Sequence, residues 1–290
     1  MRSSRSSRRR KPDATRGFSL FELVAALGVT SLVMAATAQY FAQQAKTFAG
    51  QAYRLEAQQA SRATLDTITR DLRLAGACLP QTGAFMALAG TDSGAGDTVT
   101  IRTGLVGTDG SCVWSSANAG LAQGATSVPL IAGGGTQFQA GQLLYLSHPN
   151  GSGEIKKIAS KAGDILTLSG GLAQAYPAPP QNALVFGVDE RVYWLDKSNA
   201  AAPLLVLQAN WGVQQAFAVG VDDLQISYIL DQNCPTCDVV DAQNIPDDAT
   251  WRLVNEVIVQ ATVKTIGAAR AEDQATFVAE ARAKPRNLLP

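Results

Sequence analysis

Apolar residues dominate the segment from Phe18 to Phe41. Between Glu22 and Lys46 lie twenty-three residues without a formal charge. An α-helix rises about 1.5 Å per residue, so about twenty residues cross a hydrocarbon core of roughly 30 Å. The pattern predicts a membrane-spanning helix over residues 18–45.

The helical pattern continues beyond this apolar run. Apolar or small residues recur at steps of three and four, which places them on one helical face. These positions are Phe41, Ala45, Phe48, Ala52 and Leu55, followed by Leu65, Ile68, Leu72 and Ala75. No Pro interrupts the chain between Phe18 and Cys78, and Gly76 is a suitable helix stop. We therefore predict one helix to Gly76, whose amphipathic half, residues 46–77, packs on the protein's own C-terminal domain.

Beyond Leu79 the pattern changes to short runs typical of β-strands, separated by Gly, Asp, Asn and Pro. The predicted strands are Asp97–Arg102, Ser127–Ile131, Gln142–Ser147, Glu154–Ser160, Ile165–Ser169, Ala183–Val188, Arg191–Leu195, Leu204–Gln208, Asp223–Leu230 and Leu253–Lys264. The predicted fold is α+β, with a long N-terminal helix packed on an antiparallel β-rich domain over residues 78–290. Tightly spaced strands at 123–188 predict a small β insertion.

Charge is distributed unevenly along the chain. The 24 basic and 24 acidic residues balance overall, but residues 1–17 carry a net charge of +6 and the remainder −6. Positive charge before an apolar span holds that end in the cytoplasm, so the body is expected on the far side of the membrane, where cysteines meet an oxidising compartment. A cleaved signal peptide is the alternative interpretation. The acidic body gives no bulk attraction to nucleic acid, although Lys156, Lys157 and Lys161 form a basic cluster.

One motif joins the basic and apolar segments. Arg16–Leu23 reads RGFSLFEL, and this resembles the class III signal of type IV pilins and pseudopilins. The resemblance implies that a prepilin peptidase removes residues 1–17 by cutting between Gly17 and Phe18, and then methylates the Phe18 amine. It also implies that Glu22 is the assembly carboxylate, which neutralises the Phe18 ammonium of a neighbouring subunit. The chain is then an enzyme's substrate and not an enzyme.

The order of the later segments resembles the minor pilins of the PilW type and, more distantly, the J-type pseudopilins of type II secretion. The segments are residues 61–76, 97–102, 191–195, 220–228 and 251–265. The resemblance implies a subunit of a complex that initiates or caps a type IV pilus. Two alternatives are a pseudopilin and a pilus-tip adhesin or DNA-binding module. The implied partners are the peptidase, other minor pilins or pseudopilins, the major pilin and inner-membrane lipid, with the body in the periplasm before assembly.

Four cysteines, Cys78, Cys112, Cys234 and Cys237, allow three disulfide pairings. We favour Cys78–Cys112, which ties the end of the helix to the early β segment, together with Cys234–Cys237. The Cys-Pro-Thr-Cys run also matches the spacing of a redox motif, and four cysteines could bind zinc. The sequence around the run lacks the βαβ context of a redox motif, and an oxidising compartment disfavours a zinc site.

Hard oxygen ligands surround the second cysteine pair. Asp231, Asn233, Asp238 and Asp241 are calcium candidates, yet the spacing does not match a calcium-binding loop motif, and a solvated acidic loop is the alternative. His148 lies among turn-forming residues and is expected in a loop. No catalytic or cofactor-binding motif is evident, so we expect no cofactor and no resident metal.

Overall fold

The computed structural model describes residues 19–80, 85–94, 96–230, 239–245, 248–266 and 274–285. The chain divides between Gln51 and Ala52 into two compact units. One helix, α1, extends from Leu20 to Leu74 and contributes to both units. The remaining elements are mostly antiparallel strands of the second unit, so the α+β class predicted from the sequence is confirmed.

The bounds of the elements after α1 are as follows. The strands are β1 Leu88–Thr91, β2 Thr98–Gly104, β3 Trp114–Ser116, β4 Ser127–Pro129, β5 Leu143–Ser147, β6 Gly153–Ala162, β7 Ile165–Leu168, β8 Leu184–Asp196, β9 Leu204–Ala209, β10 Gln214–Val219, β11 Val221–Leu230, β12 Val239–Asp241, β13 Val254–Lys264 and β14 Thr276–Ala283. A 3₁₀ turn covers Ala242–Asn244, and a short helix, α2, covers Asp248–Trp251.

In the described part of the chain the strands form two antiparallel sheets. The larger has ten strands, and β8 lies at its centre. The first residues of β8, Leu184–Val188, pair with β3 and β5, whereas its later residues pair with β2 and β9. The smaller sheet has the order β12-β11-β13-β14. The two strands predicted at Ala183–Val188 and Arg191–Leu195 are therefore one strand, because β8 continues without a turn.

The described residues of the second unit form two hydrophobic cores. The first is formed by α1, both sheets and the loops around them, and includes Leu72, Val99 and Val259. The second is enclosed by the strands of the insertion and includes Phe138, Leu144 and Leu166. This second core begins at Val113, ahead of the predicted insertion at 123–188, and ends at Val185.

The second half of α1 packs against the first core through the predicted helical face. Leu65, Ile68, Leu72 and Ala75 are all buried. The earlier positions Phe41, Phe48 and Leu55 on the predicted stripe are exposed, and the first alanine of α1 in the core is Ala57. Packing on the β domain thus begins later along the helix than the expected start at residue 46.

Gly76 ends the helical segment as predicted. Its φ of +78° is a left-handed conformation that glycine adopts without a Cβ penalty. The Gly76 N–H donates to the Arg102 carbonyl oxygen at 2.9 Å, and the Gly104 N–H donates to the Ala77 carbonyl oxygen at 2.6 Å. The turn that follows α1 is therefore hydrogen-bonded directly to β2.

Candidate functional site

The candidate site begins at the N-terminal end of α1. Gly17 and Phe18, the predicted cleavage and methylation residues, lie outside the described residues. Ser19 is the helix N-cap, because its carbonyl oxygen accepts a hydrogen bond from the Leu23 N–H at 3.1 Å. Its Oγ also accepts a hydrogen bond from the Phe21 N–H at 3.4 Å. The first turn is thus closed by the residue next to the predicted new N-terminus.

Glu22 lies in this first turn and reaches back to the cap. Its Oε2 accepts a hydrogen bond from the Ser19 N–H at 3.3 Å. Together with the Ser19 Oγ bond, this resembles the reciprocal capping box of Ser-x-x-Glu segments. A carboxylate here also interacts favourably with the positive end of the helix dipole. Glu22 therefore stabilises the start of its own helix. The Ser-x-x-Glu spacing of Ser19 and Glu22 is visible in the sequence, although the resemblance to pilins implies only an assembly role for Glu22.

The surface of the helix beyond Glu22 is apolar and uncovered. Every residue from Ser19 to Ala49 is exposed, including Leu20 at 81% and Phe21 at 80%. Glu22 and Lys46 are the charged residues in this stretch. Large contiguous apolar surfaces are rare on soluble monomers and mark protein or membrane contacts. Such a surface suits a surrounding of lipid or of other apolar helices.

Three aliphatic hydroxyl groups within the apolar segment form hydrogen bonds inside the helix. Thr30 Oγ1 donates to the Ala26 carbonyl oxygen at 2.7 Å, Ser31 Oγ donates to that of Gly28 at 2.8 Å, and Thr37 Oγ1 donates to that of Val33 at 2.7 Å. A hydrocarbon environment offers no water to bond such groups. These three hydroxyl groups are thus compatible with a lipid surrounding.

Among the described residues, α1 is the one helix whose length and composition suit a membrane crossing. This agrees with single-pass anchoring by the N-terminal helix. A signal sequence near the N-terminus has the same composition, so the helix alone does not distinguish the two interpretations.

Asp71 anchors the second half of α1 to the sheet. Its buried carboxylate accepts hydrogen bonds from Arg191 Nη1 at 2.9 and 3.0 Å and from the Tyr193 hydroxyl at 2.6 Å. Burial, and then the Asp71 carboxylate, raise the pKa of Tyr193, which keeps its hydroxyl protonated and donating. Asp71 lies outside the predicted apolar stripe of the helix, and the sequence pattern did not indicate its partners.

A disulfide joins Cys78 to Cys112, the pairing favoured from the sequence. Cys78 follows α1 and has a φ of +60°, while Cys112 lies between β2 and β3. The Cα atoms of the two cysteines are 5.3 Å apart. The C-terminal end of the helix is therefore held at three places: by the hydrogen bonds to β2, by the bonds of Asp71 to Arg191 and Tyr193, and by this disulfide.

The calcium and redox interpretations concern a loop that lies largely outside the described residues. Asp231, Asn233, Cys234, Cys237 and Asp238 all lie outside them. Asp241 belongs to β12, where its Oδ1 accepts a hydrogen bond from the Ser227 hydroxyl at 3.4 Å. In the described part of the chain no cluster of three or more His, Cys, Asp or Glu residues could hold a metal ion.

The lysines of the basic cluster have protein partners. Lys156 Nζ donates to the Gly171 carbonyl oxygen at 2.7 Å and pairs with Glu154 at 3.0 Å. Lys157 Nζ donates to the Asn210 carbonyl oxygen at 3.2 Å, and Lys161 Nζ to that of Gly135 at 2.7 Å. Each ammonium group thus has a structural role within the insertion or between it and its neighbours.

His148 lies in a turn between β5 and β6, as expected. Its Nδ1 accepts a hydrogen bond from the Asn150 N–H at 3.0 Å, and its ring lies 5.6 Å from that of Tyr176. The ring therefore stabilises the turn.

Two comparisons with known proteins found no relative of this chain. No protein family model matches the chain, and no curated protein matches it.

Proposed function

We propose that this chain is a type IV pilin-like subunit, and specifically a minor pilin of a complex that initiates or caps a pilus. The observation that carries the proposal is the RGFSLFEL signal at Arg16–Leu23, followed directly by an exposed apolar helix with one carboxylate in its first turn. Processing at Gly17 leaves the apolar segment attached to the product. The helix then anchors the subunit in the inner membrane and later packs among neighbouring helices.

The structure of the body supports this proposal. A pilin-like subunit must attach a globular domain firmly to a helix that is shared with lipid or a filament core. Here the second half of α1 packs in the first core, and Asp71 and the Cys78–Cys112 bond fasten its end. The body faces the periplasm before assembly, which suits a disulfide.

Processing is tested by changing Gly17 in cells that carry a prepilin peptidase. The Gly17→Ala variant should remain a full-length precursor in the membrane, because the peptidase must accommodate a main chain without a side chain. Gly28→Ala is the matched control, since a Cβ at Gly28 meets no atom within 4 Å. Mass spectrometry of the purified proteins should find Phe18 as the N-terminus of the control. Any other N-terminus in the mature wild-type protein would overturn the proposal.

Assembly is tested at Glu22 with two variants that separate its charge from its capping role. Glu22→Gln keeps an oxygen that can accept from the Ser19 N–H but removes the charge, whereas Glu22→Ala removes both. Leaving a buried ammonium without its carboxylate typically costs about 3–5 kcal/mol, which weakens association at least about a hundredfold. Both variants should be cleaved but should fail to co-purify with partner pilins.

Deletion of the chain distinguishes a role in filaments from a role in secretion. Loss of surface pili in cells lacking the chain supports the minor-pilin assignment. Normal pili with a loss of secreted enzymes would assign the chain to a type II secretion pseudopilin instead. If Glu22→Gln assembles normally and only Glu22→Ala fails, the carboxylate acts as a helix cap and not as a charge partner.

A further inference from the structure

The edge strand β10 differs from the other sheet edges in the described part of the chain. Natural sheets protect their edges by keeping them short or by placing charges on them. The edge strands β1, β3, β4 and β12 have three or four residues each. The eight-residue edge strand β14 carries the exposed charges Glu280 and Arg282. β10 has six residues, pairs with β9 alone and carries neither charge nor Pro.

The lack of charge extends well beyond β10 itself. No charged residue occurs from Ser198 to Val221, a segment that includes all of β9 and β10. Several apolar side chains of this segment are exposed, namely Trp211 at 46%, Val213 at 84% and Val219 at 50%. Within the described residues, the outer edge of β10 pairs with no strand and lies beside these exposed apolar side chains.

Contacts within the chain itself hold the hairpin that carries β10 in place. Asn210 and Trp211 have φ values of +51° and +54°, which is the conformation of a type I′ hairpin turn. The Asn210 Oδ1 accepts a hydrogen bond from the Glu190 N–H at 2.8 Å, and Trp211 Nε1 donates to Glu190 Oε1 at 2.7 Å. Phe217 of β10 packs edge-on against Tyr193. A strand held in this way loses little conformational freedom when another strand pairs with it.

We propose that the β10 edge pairs antiparallel with the β10 edge of a second copy of this chain. Two identical strands related by a two-fold axis satisfy both edges at once. A charged edge strand meets like charges when its centre pairs with itself, and this opposes pairing. The uncharged sequence Gln214–Val219 is complementary to itself in this respect.

The membrane strengthens what is a small interface. Six residues on each side bury much less than the roughly 1,200 Å² of a stable complex, so pairing in dilute solution is weak. Anchoring both copies in one membrane raises their effective concentration. The inference depends on membrane anchoring and on the sheet edge, not on cleavage at Gly17.

Cysteine cross-linking of the full chain in membranes tests this pairing. A Gln215→Cys variant treated with a short bismaleimide should give a covalent dimer on a denaturing gel. Val278→Cys on β14 is the matched control because Val278 is also exposed and lies on an edge strand. The parent chain sets the background from the native cysteines.

Dimer at residue 215 well above the control and the parent supports the proposal. Equal yields at residues 215 and 278 would mean random collision, and no dimer at 215 above the parent would overturn the pairing. A product in which residue 215 is linked to a different protein would also overturn it, since the occupant of the edge would then not be a second copy.

Charge placed at the centre of β10 provides an independent test. In the Gln215→Cys background, Ala216→Lys should lower the dimer yield at least tenfold because like charges then meet across the pair, and Ala216→Glu should do the same. Co-expression of the Lys and Glu chains should restore the dimer. Circular dichroism establishes whether each variant is folded. If Ala216→Lys does not fold, Gln214→Lys is used in its place. Dimer yields unaffected by charge, or no recovery in the mixture, would contradict the proposal.

Discussion

The Asp71 carboxylate links the helix to Arg191 and Tyr193 of β8. Asp71→Asn leaves a neutral amide facing a guanidinium and a hydroxyl. Hydrogen bonds to charged groups contribute about 1.5–3 kcal/mol, and we expect the free energy of unfolding to fall by an amount in this range. Urea denaturation of the purified protein measures it. Asp66→Asn, an exposed position on the same helix, should change the value by less than about 0.5 kcal/mol.

Asp97 gives the stability of the body a predictable dependence on pH. Its buried carboxylate accepts hydrogen bonds from the N–H groups of Ile226 at 2.6 Å and Ser93 at 3.3 Å. Burial is the largest influence and raises the pKa of Asp97 above its ordinary 3.8, although these hydrogen bonds oppose the rise. The folded state therefore holds the proton more tightly than the unfolded chain.

The sign of the effect follows from this raised pKa. The contribution of Asp97 to stability is fully present below the unfolded pKa near 3.8 and is lost as the pH rises through the folded pKa. The free energy of unfolding of wild type, minus that of Asp97→Asn, should therefore increase as the pH falls through this window. Chemical denaturation at a series of pH values measures the difference. A difference that stays constant, or that decreases toward acid, would show that the Asp97 pKa is not raised.

These two residues show where sequence reasoning stops. The positions of Leu65, Ile68 and Leu72 repeat along the chain, so their burial could be predicted from spacing alone. Asp71 finds Arg191 at a separation of 120 residues, and Asp97 finds Ile226 at a separation of 129. No local pattern encodes such a pairing, because it depends on how β8 and β11 are placed by the sheets.

At the level of elements, Gly104 controls how closely the turn after α1 approaches β2. A Cβ at this position would lie 2.6 Å from the Cys78 carbonyl oxygen and 2.8 Å from its carbonyl carbon. Backbone atoms cannot move aside cheaply, so Gly104→Ala should destabilise the body by about 1–3 kcal/mol, as overpacking does. Thermal melting measures this loss. Gly94→Ala is the control because a Cβ there meets nothing within 4 Å, and an equal loss in both variants would contradict the packing argument.

Strand prediction succeeded where apolar residues alternate or cluster between turn formers. β5, β7 and β13 fall within one residue of their predicted bounds. The predictions omitted β1, β3, β10, β12 and β14. These strands are short, or they lie at sheet edges with small and polar residues, as in the Thr-Phe-Val-Ala-Glu-Ala-Arg-Ala sequence of β14. Such strands are defined by pairing with a neighbour and not by their own hydrophobic pattern.

For the whole molecule, the division at Gln51 predicts which part of the chain is stable in water. A chain of residues 52–290 keeps the helical residues of the first core and lacks the exposed apolar segment. We expect it to be recovered in the aqueous fraction and to melt cooperatively, whereas the full chain stays with the membrane. Sedimentation and circular dichroism check both expectations.

A shorter chain of residues 75–290 provides the contrast. It lacks Leu65, Ile68 and Leu72, and deleting a large core side chain typically costs about 2–5 kcal/mol. Three such losses amount to about 6–15 kcal/mol. This is comparable to the roughly 5–15 kcal/mol that stabilises a typical domain. This chain should aggregate or lose its cooperative transition. Equal melting of the two truncated chains would contradict the assignment of the helix to the first core.

The Cys78–Cys112 bond also determines how the body responds to tension. Its two cysteines are 34 residues apart, and an extended chain spans about 3.3–3.6 Å per residue, so roughly 110–120 Å of contour length is locked inside the covalent loop. A force that enters along α1 passes from Cys78 to Cys112 through the sulfur atoms and bypasses β1 and β2. Under oxidising conditions a pulling experiment should therefore record an unfolding extension that is shorter by this length than the extension of the reduced protein.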